Sequence, residues 1–448
     1  MIDDTNMNFL LNRQWSNSSS NRFSSRFSTN SYPGADDITR VELPNGIVIL
    51  TRPNFDSHSI TLSGYLEVGG LIDPEKKLGL ADFTAFALMR GTKRRDFQEI
   101  FNVLESAGAS LGFTGSTHTT GFGGKALAED LDLLLESLAD PLRYPIFPDE
   151  QVEKLRSQLL TSLAIRAQDT HQMAAMAFDQ IVYKDHPYSR PEDGYPETIM
   201  AISKDDLVEF HRMNYGPRGM VITVVGAVEP SEVVGKISHY FGDWENSQQP
   251  IMPALPELEP LNKKVVQSVN LVGKSQSDVM LGVAGPSRCS PDYLAASLGN
   301  NILGQFGMMG RIGDIVREQA GLAYYASSSL QGGVGPGPWR ISAGVAPVNV
   351  DTVIALISQE LFRFINEPVT AEELADSQAN YIGRLPLSLE SNGGVAGALL
   401  TLERYNLGLD YYRNYQNLLM EITREDVLGA AQHYLHPDRL GIAVAGPQ

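Results

Sequence analysis

Residues 202–207 read ISKDDL and residues 422–427 read ITREDV, so that every pair is identical or conservative at an offset of 220 positions. At the same offset Pro217 matches Pro437, and Gly226 matches Gly446. Each copy predicts a capped helix, a loop marked by proline and a buried strand. A repeat of about 200 residues is far too long for a solenoid, so it indicates two copies of one domain.

The boundary between the two copies is marked by composition. Residues 248–264 include four prolines, at positions 250, 253, 256 and 260, among mostly small and acidic residues. Such a segment is typical of a semi-rigid linker. We therefore predict an N-terminal domain over 38–247 and a C-terminal domain over 265–448.

Strand and helix patterns indicate the α+β class. A hairpin is predicted near residues 38–50, where alternating residues turn at Pro44, Asn45 and Gly46. Helical runs follow, such as Ala128–Leu142, rather than a strict alternation of strands and helices. We predict that each domain is a mostly antiparallel sheet with helices packed on one face, and that the two domains form a clamshell around a cleft.

The first 37 residues differ from the rest of the chain. Within residues 12–31, Ser and Asn occupy 12 of 20 positions. This bias predicts a disordered tail over 1–37 rather than a targeting segment, because acidic residues precede it and it lacks helical periodicity. No apolar run is long enough for a membrane helix, so we expect no membrane partner and a cytoplasmic location.

The charge balance excludes one class of partner. The chain has 53 acidic and 35 basic side chains and a formal net charge of −18. A protein this acidic gains nothing from releasing counterions from phosphates, so nucleic acid is not an expected partner.

Familiar catalytic patterns are missing. The eight histidines offer one pair at helical spacing, His433 and His436, which we interpret as a surface pair. No Gly-x-Ser-x-Gly elbow occurs. The Gly-rich stretch 332–338 contains prolines and is followed by no Lys-Ser/Thr, which favours a hairpin loop over a phosphate loop.

One segment carries a family resemblance. Residues 79–92 (GLADFTAFALMRGT) resemble the active-site helix of the pitrilysin/insulinase family of zinc peptidases, in its small-subunit, processing-peptidase-like branch. Further landmarks are GGLID at 69–73, HPY at 186–188, FGDW at 241–244 and the run 317–324. The resemblance extends over the chain from about residue 38.

The resemblance also shows what this chain has lost. Catalytic members have an inverted His-x-x-Glu-His on this helix, whose histidines bind zinc and whose glutamate activates water. Here those positions are Asp82, Ala85 and Phe86, and the segment 157–163, where the third ligand is expected, has no carboxylate. We therefore expect no zinc in this chain and no hydrolysis by it alone.

A second part of the signature is retained. In the family, an arginine and a tyrosine seven residues apart reach the substrate at the zinc, and Arg317 and Tyr324 match that spacing. By the resemblance, the tyrosine donates to the developing oxyanion and the arginine binds substrate carbonyls. The competing interpretation is that Arg317 pairs with Asp314 or Glu318 while Tyr324 packs inside the domain.

Substrate-binding residues are also implied by the resemblance. Residues 114–122 correspond to the sheet edge where family substrates add as a strand, which makes Thr114, Gly115, Ser116 and Thr117 candidates. Residues 304–310 correspond to the glycine loop of the non-catalytic subunit, with Gly304 and Gly307 as candidates.

These observations predict a non-catalytic, substrate-binding subunit of a heterodimeric zinc endopeptidase acting on peptides. Its partner would be a homologous chain with His-x-x-Glu-His, and zinc would be held there. The alternative is a catalytically inert homodimeric scaffold or a peptide-binding protein of the same fold.

Overall fold

A computed structural model describes residues 32–305 and 310–447. The strands of the first half are β1 (Thr39–Glu42), β2 (Val48–Pro53), β3 (Ser59–Leu66), β4 (Ser110–Gly115), β5 (Thr120–Leu127) and β6 (Val221–Gly226). Its helices are α1 (Leu80–Ala87), α2 (Phe97–Ser106), α3 (Leu131–Arg143), α4 (Asp149–Arg166), α5 (Thr170–Val182), α6 (Pro196–Ala201), α7 (Lys204–Asn214) and α8 (Pro230–Phe241).

The second half begins after the linker. Its strands are β7 (Val265–Asn270), β8 (Ser277–Ala284), β9 (Ala323–Leu330), β10 (Pro338–Val345) and β11 (Gly441–Gly446). Its helices are α9 (Tyr293–Gly304), α10 (Gly310–Gly313), α11 (Val350–Asn366), α12 (Ala371–Ser388), α13 (Asn392–Arg404), α14 (Tyr411–Met420) and α15 (Arg424–Tyr434).

Each half has one open sheet. The first sheet has the order β1-β2-β6-β3-β5-β4, and the second has the order β7-β11-β8-β10-β9. One neighbouring pair in each sheet is parallel, β2 with β6 and β7 with β11, and the other pairs are antiparallel. Strands β4 and β9 therefore lie at equivalent open edges of the two sheets.

The repeat predicted from the sequence is present in the structure. Helices α7 and α15 begin with the same capping box, formed by Ser203 with Asp206 and by Thr423 with Asp426. Strands β6 and β11 follow them and occupy equivalent positions in the two sheets. The α+β class and the two mostly antiparallel sheets are confirmed.

The two halves exchange one helix each, which the sequence analysis did not predict. Helix α5 of the first half packs on the second sheet, where Ala174 and Phe178 are buried against Met280 and Ala443. Helix α13 of the second half packs on the first sheet and buries Leu399. Each sheet therefore has its own helices on one face and the exchanged helix on the other.

Polar contacts fix the start of each exchanged helix. The Thr170 hydroxyl at the beginning of α5 donates to Asp278 of β8. At the beginning of α13, the Asn392 side-chain amide donates to the Ser59 carbonyl over 3.1 Å and accepts from Asn54 over 2.7 Å. The two halves are thus joined by buried surfaces and by polar contacts at the start of each exchanged helix.

The chain outside the sheets differs partly from expectation. Most of the predicted tail, residues 1–31, lies outside the described residues. Residues 32–37, which the sequence placed in that tail, contact the second half: Arg413 donates to the Tyr32 carbonyl over 3.0 Å, and Ala35 N–H donates to Asp410 over 2.9 Å. Residues 250–262 contain neither helix nor strand. The predicted domain boundaries stay a prediction.

The described helices are too short or too polar for a membrane span. Within residues 32–305 and 310–447, no helix combines the length and the apolar character needed to cross a bilayer.

Candidate active-site remnant and substrate edge

Helix α1 is held at its beginning by a buried carboxylate. Asp73 is 5% exposed and accepts hydrogen bonds from the backbone N–H groups of Gly79 and Ala81, at 2.9 and 3.0 Å. These bonds satisfy donors that the first turn of a helix leaves unpaired. The side chains at the degenerate zinc positions of α1 are therefore presented by a fixed helix.

The three degenerate positions lie in different environments. Asp82 is 9% exposed, Ala85 is fully buried and Phe86 is 38% exposed. Only Asp82 offers a ligand atom, and no group of three or more His, Cys, Asp or Glu side chains suited to a metal occurs within the described parts of the chain. This set of side chains does not fit zinc, which requires at least three protein ligands.

The carboxyl group of Asp82 is electrostatically strained. Burial raises its pKa to about 7, and the negative charges of Asp193 and Glu192 add to this rise, whereas the backbone amide of Gly115 opposes it. Burial also raises the pKa of Asp73 to about 7, against the opposing effect of its backbone hydrogen bonds. Asp73 and Asp82 therefore both change between the charged and the neutral form near pH 7.

An arginine lies beneath α1, on the helix where the family's third zinc ligand is expected. Arg156 of α4 is 8% exposed, and its guanidinium lies 5.3 Å from the ring centre of Phe83. It donates to the Ile199 carbonyl and to Glu153. Leu163, on the same helix, is buried. Helix α4 therefore presents a buried arginine and a buried leucine to its surroundings rather than a zinc-ligating carboxylate within residues 157–163.

The four substrate-binding candidates at the edge of the first sheet lie in two different elements. Thr114 and Gly115 end the edge strand β4, whereas Ser116 and Thr117 form the turn into β5. The Ser116 and Thr117 carbonyls accept from Gly70 and Leu71, at 2.9 and 2.8 Å, and Thr117 N–H donates to Glu192 over 2.7 Å. Strand β4 therefore has no neighbouring strand on its outer side among the described residues, whereas the carbonyls of the turn are already engaged.

Gly115 allows β4 to approach α1 closely. A Cβ at this position would lie 2.6 Å from the Asp82 Cα atom. The end of the edge strand consequently lies directly against the degenerate zinc position.

Arg317 and Tyr324 are both accessible. Arg317 lies on a π-helical turn, Asp314–Gln319, and its side chain is 37% exposed, with a loose contact of 3.6 Å to Glu318. Tyr324 lies on the edge strand β9 and is 86% exposed. The interpretation in which Tyr324 packs inside the domain is therefore wrong, while the pairing of Arg317 with Glu318 is present but weak in geometry.

The segment before Arg317 is anchored by a residue that the sequence analysis missed. Arg311 of α10 donates twice to the Glu373 carboxylate of α12, both times over 2.7 Å, and also contacts Glu360 of α11 at 3.4 Å. Ile312 and Val316 are fully buried on the same segment. Arg311 and these two apolar residues hold the π-helical turn in place.

Of the two candidates in the predicted glycine loop, only Gly304 lies within the described residues. Gly304 is buried at the end of α9, where a Cβ would lie 2.2 Å from the backbone nitrogen of Ser328. Close packing against β9 therefore explains this glycine, and its contact with substrate stays a prediction. Gly307 lies outside the described residues.

Comparison with known proteins agrees with this fold and with the degenerate site. The model of the insulinase family, peptidase family M16, matches residues 48–192, and the model described as the peptidase M16 inactive domain matches residues 201–381. The chain belongs to the insulinase family. The resemblance stated from residues 79–92 and 317–324 is confirmed, and this insulinase-family chain is a member without the zinc-binding motif.

Several relatives extend over most of the chain. An uncharacterized zinc protease of Mycobacterium leprae is 27% identical over 413 residues, which cover 92% of each protein. The mitochondrial-processing peptidase subunit beta of Saccharomyces cerevisiae is 26% identical over 274 residues, which cover 59% of this chain and 58% of the yeast protein.

Solved structures share the fold. The structure described as a peptidase M16 inactive domain from Pseudomonas fluorescens has a TM-score of 0.84 at 24% identity, covering 92% of this chain and 98% of that one. A protease from Helicobacter pylori has a TM-score of 0.85 at 20% identity, with coverages of 92% and 99%.

Proposed function

We propose that this chain is the non-catalytic, substrate-binding subunit of a zinc endopeptidase that cleaves peptides. Its partner is a homologous chain with His-x-x-Glu-His, which holds the zinc. The accessible Tyr324 on an open sheet edge, in a chain whose own zinc positions are degenerate, is the observation that carries the proposal. The yeast relative is itself named as a subunit of a processing peptidase, which supports a paired arrangement.

Arg317 and Tyr324 can contribute to peptide hydrolysis although the described part of this chain has no zinc site to activate water. They would bind the substrate and stabilise the transition state, and the partner would activate the water. A guanidinium binds carbonyl oxygens through several N–H groups and keeps its charge. A phenol donates one hydrogen bond to the oxygen that becomes negative in the transition state. Because Tyr324 is 86% exposed, these donors can be completed by a surface of another chain.

The edge strand β4 supplies the second part of the proposal. Pairing with an exposed strand uses backbone groups of the peptide and makes little demand on its sequence. Thr114 and Gly115 lie at the end of this edge, directly against α1. The chain would therefore hold extended peptides of varied sequence.

Reconstitution tests this function. The chain and a homologue with His-x-x-Glu-His from the same genome are expressed separately and together, and hydrolysis of an internally quenched unfolded peptide is measured. We expect the mixture to be active, this chain alone to be inactive, and the partner alone to be much slower than the mixture. Failure of the two proteins to associate, with a homodimer of this chain in sedimentation, would instead support the inert scaffold.

A further inference from the structure

A cavity of about 340 Å³ lies between the two halves, apart from Arg317 and Tyr324. The turn between β4 and β5 and the segment after α5 form the walls contributed by the first half. The loop between β9 and β10, which is the predicted Gly-rich hairpin loop, contributes the opposing wall. The cavity therefore begins where the substrate edge β4 ends.

Hydrogen bonds between the halves hold these walls together. Gly335 N–H donates to the Tyr188 hydroxyl over 3.0 Å, and the Tyr183 hydroxyl donates to the Pro336 carbonyl over 2.9 Å. The Tyr188 hydroxyl lies 2.7 Å from His118 Nε2. Burial lowers the pKa of His118 to about 4, so the ring is neutral at pH 7 and its Nε2 atom can accept a hydrogen bond from the Tyr188 hydroxyl. The walls are thus preorganised around the cavity.

Two opposite charges face the cavity without pairing. Asp179 of α5 and Arg340 of β10 both line it, and neither side chain forms a hydrogen bond or an ion pair within 4.0 Å with another described residue. Burial raises the pKa of Asp179 to about 6, and the charge of Arg340 acts against this rise. A carboxylate and a guanidinium in a partly buried cavity gain from hydrogen-bonded partners that they lack here.

Of the other charged groups of the cavity, Glu192 is firmly hydrogen-bonded and Arg190 has one loose contact. Glu192 accepts from both the N–H and the hydroxyl of Thr117, at 2.7 and 2.6 Å. Arg190 contacts Glu75 at 3.8 Å. Asp179 and Arg340 are consequently the pair left to receive a ligand that carries one positive and one negative group.

We propose that this cavity binds a free amino acid or a dipeptide as a zwitterion, with its ammonium group at Asp179 and its carboxylate at Arg340. The charge of Arg340 acts on Asp179, yet the two side chains form no ion pair within 4.0 Å, so a ligand between them can bind each one with a group of opposite charge. The volume admits a ligand of this size and no folded partner. The site belongs to this chain alone, so the inference does not depend on the proposed zinc-bearing partner.

Calorimetric titration of the full chain with alanyl-leucine tests the site. Three blocked forms, acetylated at the amino end, amidated at the carboxyl end, or both, are titrated in parallel. We expect each single block to weaken binding to the wild type by about tenfold or more, because each removes one charge-assisted contact. No detectable binding of free alanyl-leucine, or equal binding of the doubly blocked form, would overturn the proposal.

Two variants assign the ends of the ligand. In Asp179→Asn, acetylating the amino end of the dipeptide should not lower the affinity further, because the proposed partner of the ammonium group is already gone. Amidating the carboxyl end should still weaken binding. In Arg340→Gln the pattern should be reversed. Asp56→Asn, at an exposed carboxylate, is the matched control and should behave as wild type. Should either variant fail to fold, the four ligand forms on the wild type still decide the matter.

Discussion

The Arg311 guanidinium and the Glu373 carboxylate form a bidentate pair, with both N···O distances at 2.7 Å, that ties the segment leading to Arg317 to helix α12. Arg311 and the Thr370 cap hold the pKa of Glu373 at about 2, although burial alone would raise it. Thr370 and Glu373 also form the capping box at the start of α12. One ion pair therefore supports both the helix and the placement of the proposed substrate-binding arginine.

Replacing Arg311 should destabilise the second half. In Arg311→Gln we expect a loss on the order of 2–4 kcal/mol in the free energy of unfolding, since Glu373 loses its cation and the buried Glu360 keeps only Arg363. The depressed pKa of Glu373 means that this stabilisation is complete above pH 5 and is lost as the pH falls toward about 2. Urea unfolding at several pH values measures it.

The exposed Arg424, whose nearest acid is its sequence neighbour Glu425 at 3.9 Å, provides the control. Arg424→Gln should leave stability nearly unchanged at every pH. A similar loss in both variants, or a loss in Arg311→Gln that does not shrink in acid, would contradict the assignment to the pair with Glu373.

Asp82 should make the protein less stable as the pH rises. Its pKa is about 7 in the folded chain and near its ordinary value when unfolded, so between about pH 4 and 7 the folded state binds more protons. Stability therefore falls through this window and levels off above it. In Asp82→Asn, the free energy of unfolding should fall across this pH window by on the order of 2–4 kcal/mol less than in the wild type.

Thermal or urea unfolding between pH 4.5 and 8.5 compares wild type, Asp82→Asn and the exposed control Asp56→Asn. Asp73 retains its own titration in each protein, so a smaller slope and not a flat profile is expected for Asp82→Asn. Identical slopes for wild type and Asp82→Asn would show that Asp82 is ionised in the folded chain.

The exchanged helices should make the two halves unfold together. Leu399 of α13 is fully buried against the first sheet, and Leu399→Ala should cost about 2–5 kcal/mol. Because α5 makes the equivalent contact with the second sheet, calorimetry should show one transition for wild type, shifted to lower temperature in the variant. Two separate transitions, with only one affected, would contradict this coupling.

Zinc should not contribute to the fold of this chain. Asp82, Ala85 and Phe86 do not form a zinc site, so protein purified alone should contain far less than one zinc ion per chain by elemental analysis. A chelator should leave its unfolding temperature unchanged. Stoichiometric zinc, or a lower unfolding temperature in the presence of a chelator, would contradict the conclusion that α1 does not carry a zinc site.

Features that are formed by residues close together in the chain can be predicted from the sequence. The loss of the zinc residues is visible at 82, 85 and 86, and the spacing of Arg317 and Tyr324 is visible within one short run. The capping boxes at Ser203 and Thr423 likewise revealed the repeat, because cap residues are separated by only three positions.

What the sequence did not reveal depends on long-range contacts. Arg311 and Glu373 are 62 positions apart, and nothing in the periodicity around either residue indicates the other. Phe178 and Leu399 lie on helices whose apolar faces predict burial but not the sheet that covers them. Similarly, the carbonyls of Ser116 and Thr117 are occupied by Gly70 and Leu71, which only the folded chain brings close.

The turnover of the reconstituted complex tests the central claim most directly. Peptide hydrolysis is compared for complexes containing wild type, Tyr324→Phe, Arg317→Ala and the matched exposed variant Arg424→Ala. We predict that Tyr324→Phe and Arg317→Ala each lower turnover on the order of 10²–10³-fold with unchanged complex formation, and that Arg424→Ala has no effect. Wild-type turnover in both the Tyr324→Phe and Arg317→Ala complexes would contradict the claim that this chain completes its partner's zinc site.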